Sequence, residues 1–287
     1  MIISIGSQKG GVGKTTTSLA LAAGLAQAGK KVLLIDIDYQ ANSSKVLLPD
    51  YQKLDMLDTV CATVLERKPL TVHKTNIPNL EIVPSHILLS NADLTLITAL
   101  DNRAYRLRTQ LEKVRGMWDY ILIDCPPSIG WLTLNAFTAS DKIIIVVSPG
   151  YFELDSIVQI NKTIEKVKEE FNPTLDLFGM LFNLSENTNA TVASLQLLRQ
   201  TYPHKVFRTI IPRNTDIKEA QLYRSTVFWT PSCLKLCGIG QGTPLLLSHL
   251  GRGFVAMPSD QPGLIVLTLE LMQRQAQLFH GIKGLEP

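Results

Sequence analysis

Short apolar runs rich in β-branched residues alternate with longer stretches of helical period along roughly the first four fifths of the chain. Ile2-Ile3-Ser4-Ile5, but for Ser4, and Val32-Leu33-Leu34-Ile35 after Lys31 are apolar at consecutive positions rather than alternate ones. A strand reads this way when both of its faces are buried. The runs at 80–84, 119–124, 142–147 and 177–183 have the same character, and 14–27, 103–114, 155–171 and 190–201 read as helices between them. Such an alternation predicts an α/β fold with a doubly wound, mostly parallel sheet flanked by helices. No repeat or low-complexity linker interrupts it, so 1–228 reads as one domain.

The pattern changes after Trp229. The stretch "TPSCLKLCGIGQGTPLLLSHLGRGFVAMPSDQPG" is rich in Gly, Pro and Ser, and shows no strand or helix period until about Leu264. Residues 229–287 therefore read as a divergent, poorly ordered tail with a terminal helix. That helix would place Leu271, Leu278, Ile282 and Leu285 on one face, with Arg274 and Lys283 as the only fixed cations opposite.

Composition adds little but excludes some classes. The chain has 287 residues, 45% hydrophobic and 18% charged, with a formal charge of +3. It can bury a sizeable core, and its weak basicity is compatible with nucleic acid without establishing it. The four cysteines, Cys61, Cys125, Cys233 and Cys237, form no complete metal pattern and read as reduced thiols. No run approaches a membrane span, and Lys9 with its glycines interrupts any leader-like apolar region, so the expected compartment is the cytoplasm.

The chemistry begins at "QKGGVGKTTT". The P-loop pattern Gly-x-x-x-x-Gly-Lys-[Ser/Thr] wraps phosphates in backbone N–H groups at a helix N-terminus. Here Gly13-Lys14-Thr15 is intact, but Gln8 stands where the first glycine belongs. In that pattern Lys14 reaches the β- and γ-phosphates and Thr15 holds Mg²⁺. Asp36 and Asp38 end the second strand, where a carboxylate pair suits a hydrated Mg²⁺ and an attacking water. "DYILID" reads as an apolar strand that would deliver Asp124 to the Mg²⁺ site, and Pro126-Pro127-Ser128 with Gly130 would form a switch-like turn that senses the γ-phosphate.

Taken together, Lys9-Gly10-Gly11-Val12-Gly13-Lys14-Thr15-Thr16, Asp36-x-Asp38-x-Gln40-x-Asn42 and "DCPPSIGWLTLNA" resemble the deviant Walker A motif and partner motifs of the ParA/MinD family. The resemblance runs from Met1 to about Phe228 and accounts for the missing glycine. It implies an ATPase using ATP and Mg²⁺, slow without a partner, that forms a homodimer around two nucleotides. Lys9 would reach the partner subunit's phosphates, Asp38 would orient the attacking water and Asp36 would support the metal shell. Asn183, Pro212 and Arg213 would border the adenine. One departure is Tyr39, where the family usually has proline.

The short N-terminus resembles the Soj-type members, which implies non-specific binding to DNA, association with the nucleoid and stimulation by a ParB-like partner. Arg199, Lys205, Arg208, Arg213, Lys218 and Arg224 are the candidate DNA contacts. Asp216 stands where the family often has arginine. The rival readings are a MinD-like ATPase cycling on a membrane, for which the terminal helix is poor in cations, and a nucleotide-dependent scaffold that hydrolyses little.

Overall fold

The computed structural model describes residues 1–150 and 153–213. The tail, the terminal helix, Lys218 and Arg224 lie outside the described residues. From the N-terminus come β1 (Ile2–Gly6), α1 (Lys14–Gln27), β2 (Val32–Asp36), α2 (Asn42–Leu47), α3 (Val60–Glu66), β3 (His73–Lys74) and β4 (Leu80–Val83). Then follow α4 (Ala92–Ile97), α5 (Arg106–Lys113), β5 (Tyr120–Asp124), α6 (Trp131–Ala139) and β6 (Lys142–Val147). The last described elements are α7 (Glu153–Glu170), β7 (Asp176–Ser185), α8 (Asn189–Thr201) and β8 (Val206–Pro212).

The eight strands form one sheet in the order β3-β4-β2-β5-β1-β6-β7-β8. Every pairing is parallel except β3 with β4, so the expected mostly parallel sheet stands with one antiparallel edge. The consecutive apolar positions have the predicted cause. Ile2, Leu33, Ile35, Ile121 and Ile123 enter a core with α3, α5, α6, α7 and α8. Their sequence neighbours Ile3, Ile5, Leu34 and Leu122 enter a second core beneath α1. Each central strand thus buries both faces, as the alternation of side chains across a strand requires.

Three features differ from the sequence expectation. The segment 206–212, read for its adenine contact, is also the edge strand β8, whose mixed "VFRTIIP" pattern hides its period. The region after the Pro-Pro-Ser turn continues as α6, whose residues are apolar nearly all round and so show little amphipathic period. The expected helix at 103–114 divides into a 3-10 turn at Arg103–Tyr105 and α5.

Candidate nucleotide-binding site

Strand order concentrates the chemistry. β1 is flanked by β5 and β6, and β5 by β1 and β2, so the chain departs from β1 in both directions. Crevices for ligands open at the carboxyl ends of strands at such a reversal. There the register aligns Ile5 with Asp124, and Asp124 with Asp36. The glycine-rich loop leaves β1 directly beside the two carboxylates.

The loop is preformed. Gly11 and Gly13 have φ of 77° and 92°, a left-handed conformation that glycine adopts without a Cβ penalty. At Gly13 space is also decisive, because a Cβ would run into the Asn183 amide nitrogen. That nitrogen donates to Val12 O at 2.7 Å, bracing the loop from β7. The Lys14 ammonium, buried, donates to Ser7 Oγ at 3.1 Å and to Lys9 O at 3.2 Å, and Ser7 Oγ donates to the same carbonyl at 2.8 Å. Lys9, Gly10 and Gly11 form the exposed outer edge, whereas Val12 is buried and Thr15 and Thr16 are half-buried in the first turn of α1.

Behind the loop lie three buried carboxylates. Asp124 accepts from Ser18 Oγ at 3.0 Å and Ser43 Oγ at 2.7 Å, and also from the Thr15 hydroxyl. Asp36 accepts from Ser44 Oγ at 2.7 Å, Ser44 N at 2.9 Å and Asp38 N at 3.2 Å. Asp38 accepts from Gln40 N at 3.0 Å. Burial first, then repulsion by Asp124, pushes Asp36 up to about 8. Burial pushes Asp124 up to about 6 against its three hydroxyl donors, and raises Asp38 as well. Burial lowers the Lys14 ammonium, opposed by Asp124 and Asp38.

These groups fit a nucleotide with its cation. Even with Asp36 protonated, the buried carboxylates of Asp38 and Asp124 outnumber the one buried ammonium, and a divalent cation offsets the negative charge that remains. Among the described residues no three His, Cys, Asp or Glu side chains converge as a protein cage for a metal. Mg²⁺ asks for less: one or two protein oxygens, with water and phosphate completing its octahedron. The loop itself carries a buried acceptor, Gln8 Oε1, with no hydrogen-bond partner among the described residues.

The sequence of this crevice has many relatives. The family model described as an AAA domain matches residues 1–177. The sporulation initiation inhibitor protein Soj of Bacillus subtilis is 39% identical over 76% of this chain and 87% of its own length. The chain belongs to the Soj/ParA family of partitioning ATPases. The chromosome partitioning protein ParA of Myxococcus xanthus is 38% identical, over 91% of this chain and 89% of its own. That matched span is longer than the first 228 residues. Among solved structures, a cobyrinic acid a,c-diamide synthase of Mycobacterium smegmatis with bound ADP and magnesium matches with a TM-score of 0.68 and 32% identity, over 78% of this chain and 90% of that one.

Not every candidate joins the crevice. Asn183 reaches it, but through the Val12 carbonyl. Pro212 ends β8 opposite Ser185, and Arg213 pairs with Glu186 at 2.7 Å. Arg199 and Arg208 are exposed on α8 and β8. Lys205 precedes β8, at the sheet end away from the crevice, and pairs with Asp176 at 3.6 Å. Thus Lys205 and Arg213 stand at opposite ends of one strand. Tyr39 is half-buried and packs against the core that includes residues of α3 and α6, a use for the side chain that replaces proline. Cys125 is buried, and burial holds its thiol protonated. Sequence reasoning missed the hydroxyl shell of Ser7, Ser18, Ser43 and Ser44. The pair Ser43-Ser44, five residues after Asp38, was the readable signal.

Proposed function

We propose that this partitioning ATPase binds ATP with Mg²⁺ in the crevice, pairs with a second copy around the nucleotides, and in that form binds DNA without sequence preference. The observation that carries the reading is the placement of two lysines on one loop. Lys14 is drawn inward onto the loop carbonyl of Lys9, while Lys9 sits on the exposed rim. An inward cation serves the phosphates of its own nucleotide, and a rim cation is placed to offset phosphate charge across an interface.

Lys14 and the loop amides from Gly10 to Thr16 hold the phosphates. Thr15 and Asp124 hold Mg²⁺ supported by Asp36, and Asp38 holds the attacking water. The metal supplies charge stabilisation at the phosphates when bound. Asn183, Pro212 and Arg213 line the adenine side. Arg199, Lys205, Arg208, Lys218 and Arg224 supply phosphate contacts to DNA, and a ParB-like partner stimulates hydrolysis and release. This cycle positions a plasmid, chromosome or other large cargo on the nucleoid, in the cytoplasm. Among the described residues no helix is long and apolar enough to cross a membrane.

Co-sedimentation of the full chain with DNA in ATP, ADP or no nucleotide tests this, with anionic liposomes in parallel. Retention on DNA in ATP that weakens with salt supports the reading. Retention on liposomes alone replaces it with a membrane cycle, and retention on neither contradicts it.

A further inference from the structure

The turn that follows Asp124 is held from outside by a carboxylate that the nucleotide chemistry does not use. α6 starts at Trp131, and its N-cap, Gly130, has no side chain to satisfy the first helical N–H groups. Asp93, the second residue of α4, supplies the cap instead. Its Oδ1 accepts from Trp131 N at 2.7 Å, across 38 residues of sequence.

Gly130 makes room for this contact. Its φ of −132° is open to any residue, so backbone freedom does not explain the glycine. Space does: an added Cβ would lie 2.7 Å from Asp93 Oδ1 and 2.9 Å from Asp93 Cγ.

A second contact holds the same strap. The Arg103 guanidinium stacks 4.1 Å above the Trp131 ring while donating to Leu96 O and Ile97 O at the end of α4. The segment from α4 to Arg103 therefore grips Trp131 by its backbone at one end and by its indole at the other. Within the turn, Thr133 Oγ1 donates to Ser128 O at 2.6 Å, so the position of α6 fixes that of Ser128.

We infer that Asp93 is a positioning residue for hydrolysis: by capping α6 it holds the 126–130 turn at the height the γ-phosphate requires. This rests on the nucleotide reading above and adds to it a residue on α4. Asp93 touches neither nucleotide nor metal; it acts through Trp131 and Gly130.

The test uses the full chain, with single-turnover ATP hydrolysis and the affinity for a fluorescent ADP analogue measured side by side. Asp93→Ala is expected to slow hydrolysis about 10- to 100-fold with ADP affinity unchanged, because the P-loop is untouched. Asp93→Asn keeps an acceptor oxygen and is expected to restore most of the rate. Gly130→Ala pushes the carboxylate away and should reproduce the Asp93→Ala defect. Combining the two should be no worse than either alone. Thr188→Ala removes the cap of α8, where Thr188 accepts from Thr191 N at 3.2 Å, and should leave the rate unchanged. Full hydrolysis in Asp93→Ala, multiplying losses in the double variant, or an equal loss in Thr188→Ala would overturn the inference. A wild-type chain that bound no ADP analogue would instead overturn the nucleotide reading beneath it.

Discussion

Gly13→Ala should destabilise the nucleotide-free protein by about 3 kcal/mol, and most of that loss should depend on one residue in β7. A Cβ at φ 92° costs about 1–2 kcal/mol of left-handed strain. The same Cβ displaces the Asn183 amide and breaks its 2.7 Å bond to Val12 O, leaving a buried donor and acceptor unpaired for about 1–3 kcal/mol. The stiffer unfolded chain returns about 0.4–1 kcal/mol. Asn183→Ala removes the obstacle, so adding Gly13→Ala to it should cost only the residual strain, about 1 kcal/mol. The two substitutions are thus expected to couple by about 2 kcal/mol, well beyond the few tenths found for independent sites. Urea unfolding of the four proteins in EDTA measures this directly. Losses that add within about 0.5 kcal/mol would refute the idea that Asn183 braces the loop against Gly13.

Other consequences are more direct. Lys14→Ala removes the cation donated to Ser7 and Lys9 and should weaken ATP binding about 10- to 100-fold, the worth of a charge-assisted bond to phosphate; titration with a fluorescent ATP analogue checks it, and unaltered affinity would sink the role given to Lys14. Because Asp36 is raised to about 8 in the folded state, against an ordinary carboxyl value near 4 when unfolded, the folded state keeps a proton that the unfolded chain releases. Stability of the nucleotide-free protein should therefore fall as pH rises from about 4 to about 8. Asp36→Asn should flatten that slope in urea unfolding at several pH values, and an unchanged slope would assign it to other groups.

Much of this was legible because the determinants are local. Ile2 to Ile5 and Val32 to Ile35 carry their double-sided burial in consecutive apolar positions, and "GKT" carries its own backbone and charge requirements. What escaped was made by chain reversal. Ser18, Ser43 and Ser44 are unremarkable helix residues until the order β2-β5-β1 brings Asp36 and Asp124 against them. Asp93 and Gly130 are separated by 37 positions, and neither residue type announces the contact. Asn183 differs in another way: the resemblance implied an adenine contact, and the structure gives its amide to the loop backbone. β8 is hard to read as an element because Arg208 and Thr209 interrupt its apolar run, although Val206 and Ile210 face one core and Phe207 and Ile211 the other.

In the proposed cycle nucleotide occupancy drives pairing through Lys9. Sedimentation velocity of wild-type protein and Lys9→Ala, each with Mg²⁺ and either ADP or a non-hydrolysable ATP analogue, tests it most directly. The wild-type chain is expected to shift to a dimer with the ATP analogue alone. Lys9→Ala should stay monomeric while binding the analogue with near-normal affinity. A Lys9→Ala chain that dimerised as the wild type does would contradict the role of the rim lysine, and a wild-type chain monomeric in every state would contradict the sandwich itself.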